Sequence, residues 1–278
     1  MSAGDNRIGI EFISAFNMGP VEMVELAAEL GCRHISLALA PMSTKHIDYL
    51  QWSLRDDKPL RRDVLQALQN HDVDISMGEC YMIRPDVDFR TSARPDLDAM
   101  RELNIKRVNI VSIDPDWSRN IDQCGALVEM AAELGMETTL EFGPQLGAFT
   151  NLQSAVKGLE AVNKPNFKLV IDAMHFFRSG STVADLATLD PSRVGYVQLC
   201  DVPVVSTYEQ YMYEARYERL PPGQGELPLQ EFLQAAPRDV VVGLELPMLA
   251  QAKAGVSARE RLQGAVATTR ELLAKVAE

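Results

Sequence analysis

Short apolar runs alternate with longer amphipathic stretches through the whole chain, and this alternation narrows the choice of fold more than any other feature. The runs are IGIEFIS, HISLAL, DISMGE, RVNIVSI, METTLEF, FKLVID, VGYVQLC and VVVGLEL. Each has the length and apolar character of a buried strand, and each is followed by a stretch long enough for a helix. The first helix is expected from Pro20 to Gly31, with proline near its first position and glycine just past its end, as capping chemistry favours. Later helices are expected near 61–70, 95–103, 152–162, 183–189 and 257–276, with one more ending at Gly135 and another in LPLQEFLQAA. Strict strand-then-helix order implies a parallel sheet with helical crossovers. Eight such units close a ring. The expected fold class is α/β, a single (β/α)8 TIM barrel over residues 1–278. An open doubly wound sheet would carry a glycine-rich phosphate turn after its first strand, and ISAFNMG is not one.

Composition excludes several function classes. Hydrophobic residues make up 46% of the chain, enough for a large core, and the formal net charge is -12. An acidic surface repels phosphate backbones, so nucleic acid is not an expected partner. No apolar run is long enough to span a membrane. The opening MSAGDNRIGIEF has no basic stretch leading into an apolar one, so it does not read as a signal peptide. Cys32, Cys80, Cys124 and Cys200 are scattered without a CxxC pair, as expected for reduced thiols in a cytoplasmic protein. The expected partner is a small-molecule substrate, and a homo-oligomer is open.

Four of the last strands end on an oxygen-bearing side chain: Glu141 in TTLEF, Asp172 in KLVID, Gln198 in YVQLCD and Glu245 in VVVGLEL. Strands of a parallel sheet are buried on both faces, so a carboxylate there is costly unless something pairs with it. Side chains alternate along a strand. With Leu140 and Phe142 facing the helices, Glu141 faces the barrel; the same reasoning turns Glu245 inward with Gly243. Any one of the four could be a cap or a salt-bridge partner. Together, on adjacent strands, three carboxylates and an amide oxygen offer a site for a divalent cation. An all-oxygen shell favours Mn²⁺ or Mg²⁺ over Zn²⁺. Glu79, closing DISMGE, and Glu11, on the first strand, are expected at the same rim.

These residues resemble the sugar-phosphate isomerase/epimerase family of xylose isomerase-like TIM barrels, which includes inosose isomerases, hydroxypyruvate isomerases and ketose 3-epimerases. LEFGP is similar to the family's strand-five glutamate, and GLELP to its last one. LVIDAMHFFRSGS resembles its D-x-x-H segment, which implies Asp172 as a metal ligand and His175 as a substrate contact. ERLPPGQGELPL resembles its R-x-x-P-G-x-G segment and implies Arg219 as a second substrate contact. Arg178 is a further candidate contact. Where the family places a metal-binding histidine, this chain has Gln198.

The implied chemistry is proton transfer next to a carbonyl of a polyhydroxylated substrate, with Glu141 and Glu245 moving the proton. Isomerisation and epimerisation are both open. The same first step followed by loss of a β-hydroxyl gives a dehydratase of the inosose or 3-dehydroshikimate type. A non-catalytic ligand-binding barrel is the third reading, motivated by Gln198. The abasic-site endonuclease branch of the superfamily is set aside, because a three-metal nuclease needs many histidines and this chain has 4. Residues 201–225 form a long connection carrying Tyr208, Tyr211, Tyr213 and Tyr217, to be read either as a rim helix or as a lid over the site.

Overall fold

The computed structural model of the protein describes residues 7–42, 46 and 50–277. Residues 1–6, part of the segment read above for a signal peptide, lie outside the described residues. Eight strands close a barrel in sequence order: β1 (Ile8–Ile10), β2 (His34–Ala38), β3 (Asp74–Ile83), β4 (Arg107–Ser112), β5 (Glu137–Leu140), β6 (Phe167–Asp172), β7 (Val194–Leu199) and β8 (Val242–Leu244). Every neighbouring pair is parallel, and β1 pairs with β8 to complete the ring.

The helical crossovers follow the expected positions. They include α1 (Pro20–Glu29), α2 (Lys58–His71), then α3 (Phe89–Ser92) with α4 (Arg94–Glu102), α5 (Trp117–Glu133) and α6 (Leu152–Val162). In the second half come α7 (Ala173–Arg178), α8 (Val183–Thr188), α9 (Tyr211–Tyr217), α10 (Leu229–Ala235), α11 (Leu249–Lys253) and α12 (Ala258–Ala277). Side-chain caps start many of them. Asp57 accepts the Leu60 N–H at α2, and Asn151 accepts the Ser154 N–H at α6. Gly31, at φ +67°, takes the left-handed turn that ends α1. Among the described residues no helix is long and apolar enough to cross a membrane.

Strand alternation produces two cores. Outward residues such as Ile8, Ile10, Leu140, Val197 and Leu199 are fully buried against the helices. Inward residues Met77, Val170 and Tyr196 form a separate cluster that plugs the barrel. Two residues further along the same strands, on the same face, come Glu79, Asp172 and Gln198. The alternation that fills the interior with apolar side chains thus also sets the polar ones at its C-terminal mouth.

Strand β3 outruns the sequence expectation, and the long connection, read as a rim helix or a lid, contains a helix. Strand β3 runs on to Ile83, with a register shift between Gly78 and Tyr81. The long connection after β7 is ordered around α9 and closed by antiparallel bridges Asp201↔Leu220 and Glu218↔Met248. The buried Asp201 carboxylate holds its base, accepting the N–H groups of Val202 at 2.9 Å, Gly223 at 2.9 Å and Leu227 at 3.0 Å. The PGQG turn therefore wraps a buried carboxylate. A Cβ at Gly225 would lie 2.4 Å from Asp201 Oδ1, which explains its second glycine.

Candidate active site

The mouth of the barrel opens into a cavity of about 740 Å³. Glu11, Glu79, Glu141, His175, Arg219 and Glu245 line its polar floor. Backbone bonds across the sheet set the heights of three of these carboxylates. The Glu11 N–H reaches Leu244 O at 3.1 Å, the Glu141 N–H reaches Ile110 O at 2.9 Å, and the Glu245 N–H reaches Leu199 O at 3.1 Å.

Glu141, 8% exposed, is held by two donors. Asn109 Nδ2 donates to Oε2 at 3.0 Å, and His175 Nε2 lies 3.2 Å from Oε1. His175 Nδ1 is in hydrogen-bond contact with the Tyr211 hydroxyl from α9. Burial, then the nearby Asp172 charge, pushes the Tyr211 hydroxyl up, so it stays protonated. It can donate to Nδ1, and the tautomer with its proton on Nε2 then faces Glu141.

Asp172 caps α7. Its Oδ1 accepts the His175 N–H at 2.7 Å, and its Oδ2 accepts from Arg219 Nη1 at 2.6 Å. Burial acts to raise this carboxyl, but Arg219 and then His175 outweigh it and hold it below the usual range. Glu245 Oε2 lies 2.6 Å from the same Arg219 nitrogen, an ionic contact without hydrogen-bond alignment. Burial raises the Glu245 carboxyl well above its ordinary value, and Asp172, Glu141 and Glu11 add to that against the pull of Arg219. Arg219 donates its Nε to Ala215 O at 2.8 Å, so α9 fixes where the guanidinium points.

Gln198 Nε2 donates to Glu11 Oε2 at 3.4 Å and to Glu245 Oε1 at 3.3 Å, while its own Oε1, buried, has no hydrogen-bond partner. Glu11 also accepts the Tyr196 hydroxyl at 2.7 Å. Burial raises the Glu11 carboxyl despite these donors. Glu79 is raised further, by burial and then by the charges of Glu11 and Glu141.

The sequence-derived set divides three ways. Glu141, Glu245, His175, Arg219 and Glu79 all line the cavity. Asp172 and Gln198 lie just beneath, and both touch groups that line it. Arg178, expected as a substrate contact, is turned away: its Nη2 donates to Pro203 O at 2.7 Å and to Glu214 Oε1 at 3.2 Å, tying α7 to the long connection. Asn109 was not singled out from sequence, and Tyr211 was named only as one of four tyrosines on the long connection. Neither ends a strand with a charge, and only the closed barrel shows that they orient Glu141 and His175.

The four oxygens expected around one point have a side-chain cation among them. Arg219 Nη1 stands between Asp172 and Glu245, and among the described residues no three His, Cys, Asp or Glu side chains are arranged to hold a metal ion. The donor chemistry nevertheless fits a divalent cation. Gln198 Oε1 and Glu245 Oε2 are buried oxygens with no hydrogen-bond partner. Five carboxyl groups, Glu11, Glu79, Glu141, Asp172 and Glu245, gather at the barrel mouth, and Arg219 pairs with two of them, so positive charge is in short supply.

Comparison with known proteins agrees with this fold. One curated relative is an inosose isomerase from Halalkalibacterium halodurans, 27% identical over 154 residues, covering 54% of this chain and 52% of the relative. The match thus spans about half the length of that relative. A crystal structure of the IolI protein with a bound zinc atom superposes with a TM-score of 0.79 at 21% identity, covering 97% of this chain and 98% of that one. A D-psicose 3-epimerase with D-tagatose from Clostridium cellulolyticum H10 gives a TM-score of 0.74 at 16% identity, covering 96% and 99%. Residues 24–262 match the model of the xylose isomerase-like TIM barrel family, and the chain belongs to that family.

Proposed function

We propose that this protein is an isomerase or epimerase that moves a proton at a carbon next to a carbonyl of a polyhydroxylated substrate, with a divalent cation in attendance. One observation carries the reading: Glu141 and Glu245 end strands β5 and β8, line the same cavity, and are each oriented by their own donors. Two carboxyl groups on separate strands can serve one reacting carbon from different sides. Glu141, steered by Asn109 and His175, takes the proton. Glu245 donates a proton of its own, to the same carbon for epimerisation or to its neighbour for isomerisation. Arg219 and His175 bind substrate oxygens. The segment carrying α9 places Met212, Ala215 and Arg216 on the cavity wall and would keep water out as a lid.

Glu141, Asp172, Gln198 and Glu245 would hold the cation. When bound, it polarises the carbonyl and stabilises the negative charge that develops as the proton leaves. The oxygen-only donor set argues for Mn²⁺ or Mg²⁺, while the structurally similar IolI protein carries zinc. Metal analysis of protein purified without added metal discriminates, and stoichiometric zinc would remove the hard-ion preference.

The test is exchange of the α-proton with solvent. Wild-type protein supplied with an inosose or ketose in D₂O is expected to incorporate deuterium, followed by NMR. Glu141→Gln and Glu245→Gln should each slow incorporation by about 10²–10⁴-fold while the fold persists. Wild-type rates in both variants would defeat the proposal, and an alkene product would reassign the chain to dehydration.

A further inference from the structure

Gln198, which stands where the family places a metal-binding histidine, has an amide with two unlike ends. Its Nε2 donates to Glu11 Oε2 at 3.4 Å and to Glu245 Oε1 at 3.3 Å. Its Oε1 is buried and has no hydrogen-bond partner among the described residues. Exchanging the two ends would set the oxygen against two carboxyl groups and leave the NH₂ group without an acceptor. The acceptors therefore settle which way the amide faces. A buried amide oxygen left over in this way is costly unless a ligand takes it up.

The two acceptors differ in their other duties. Glu245 is one of the groups proposed to hold the cation, and Glu11 is not. Glu11 is anchored instead to the apolar plug of the barrel. The Tyr196 hydroxyl donates to its Oε1 at 2.7 Å and lies 3.1 Å from Ser76 Oγ, and Ser36 gives Glu11 a further side-chain hydrogen bond. Tyr196, Glu11 and Gln198 are all buried, where linked hydrogen bonds polarise one another. An N–H given to a carboxyl oxygen shifts negative charge onto the oxygen of the same amide. Carboxyl groups behind metal-binding histidines orient and strengthen those ligands in the same manner.

Resting on the cation of the proposed function, we infer that Glu11 is a positioning residue for Gln198. It fixes the amide with its oxygen free for the cation and makes that oxygen a stronger ligand. Glu11 acts through Gln198 and does not itself hold the ion. Glutamine in place of histidine is then a supported ligand, with a carboxyl group behind it.

Calorimetric Mn²⁺ binding to the chelator-stripped full chain tests this. Glu11→Leu removes both acceptor oxygens and is expected to weaken binding by about 10–100-fold, the usual loss when a group behind a ligand is removed. Glu11→Gln keeps one acceptor oxygen and should fall in between. Matched melting curves exclude unfolding as the cause. A second measurement separates positioning from the loss of a negative charge. The Gln198 side-chain carbonyl resonance, assigned by its absence in Gln198→Leu, is expected to move when diamagnetic Mg²⁺ is added to wild type. At saturating Mg²⁺ it should move by less in Glu11→Leu. The inference is overturned if Glu11→Leu binds Mn²⁺ as wild type does, if the wild-type resonance ignores Mg²⁺, or if affinity falls while the Gln198 response is kept in full. Absence of cation binding by wild type overturns it too, whatever exchange shows. Deuterium exchange in wild type with cation binding independent of Glu11 would sink this inference alone. Glu11-dependent cation binding without exchange in any ketone would sink the proposed proton transfer alone.

Discussion

A methyl group at position 243 would have nowhere to go. A Cβ built on Gly243 lies 1.7 Å from Glu11 Oε1 and 2.8 Å from the Tyr196 hydroxyl, so the glycine is what lets Glu11 reach under the site. Gly243→Ala is expected to push Glu11 off Tyr196 and Gln198, leaving a buried carboxyl short of donors. The expected loss is about 1–3 kcal/mol of stability, with weakened deuterium exchange because Gln198 loses one of its two anchors. Denaturant titration and the exchange assay check both; unchanged stability would mean that Glu11 has room to move. At this scale the sequence was informative where alternation rules apply. Glu141 and Glu245 could be aimed from the residues beside them. Arg219 could be named as a site residue, but not placed between Asp172 and Glu245. That position depends on a chain return 47 residues after Asp172, which no local pattern encodes.

Among the elements, the long strands and helices were legible because each satisfies its own periodicity. Of the short ones, α8 and α10 were expected, α9 was left between a rim helix and a lid, and α7 and α11 were missed, since helices this short are held largely by tertiary contacts. Helix α9 shows what this hides: its Tyr211 hydroxyl is in hydrogen-bond contact with His175 Nδ1. Tyr211→Phe removes that donor and leaves Nδ1 free to carry the proton, so Nε2 no longer donates to Glu141. A fall in deuterium exchange of about 5–10-fold is expected, from the loss of roughly 1 kcal/mol of orientation, and the pH profile should shift as well. An unchanged rate and profile would show that His175 is oriented without α9. The entry to α5 offers a test of stability instead. Asp114 accepts from Arg119 and from the Asp116 N–H at 2.9 Å, and the Arg119 hydrogen bond chiefly holds its carboxyl below the usual range. A carboxyl depressed by folding contributes stability above its unfolded value of about 3.9 and loses it as pH falls through the lower folded value. Asp114→Asn should therefore melt at a lower temperature than wild type near pH 7, with the gap closing in acid. A gap that persists at the lowest pH would assign the effect to packing.

For the molecule as a whole, the crowding of carboxyl groups at one end of the barrel is a stability problem before it is a catalytic opportunity. Glu11, Glu141, Asp172 and Glu245 are buried and Glu79 is partly so, Arg219 pairs with Asp172 and Glu245, and burial pushes three of the five above their ordinary values. Without a further cation the floor must hold protons or strain the barrel mouth. A divalent ion bound to the folded state alone would relieve this, and linkage sets the size of the effect. At a free concentration 100-fold above Kd the gain is about 2.7 kcal/mol, which for a barrel of this size corresponds to roughly 5–10 °C in melting temperature. Protein stripped with a chelator is expected to melt lower by that margin and to recover on adding Mn²⁺ or Mg²⁺. The recovery should shrink in Glu245→Gln, which removes one donor oxygen together with one of the charges that make the cation necessary. Equal melting with and without metal, in wild type and variant alike, would mean that Arg219 alone neutralises the floor, and the cation would drop out of the proposed chemistry.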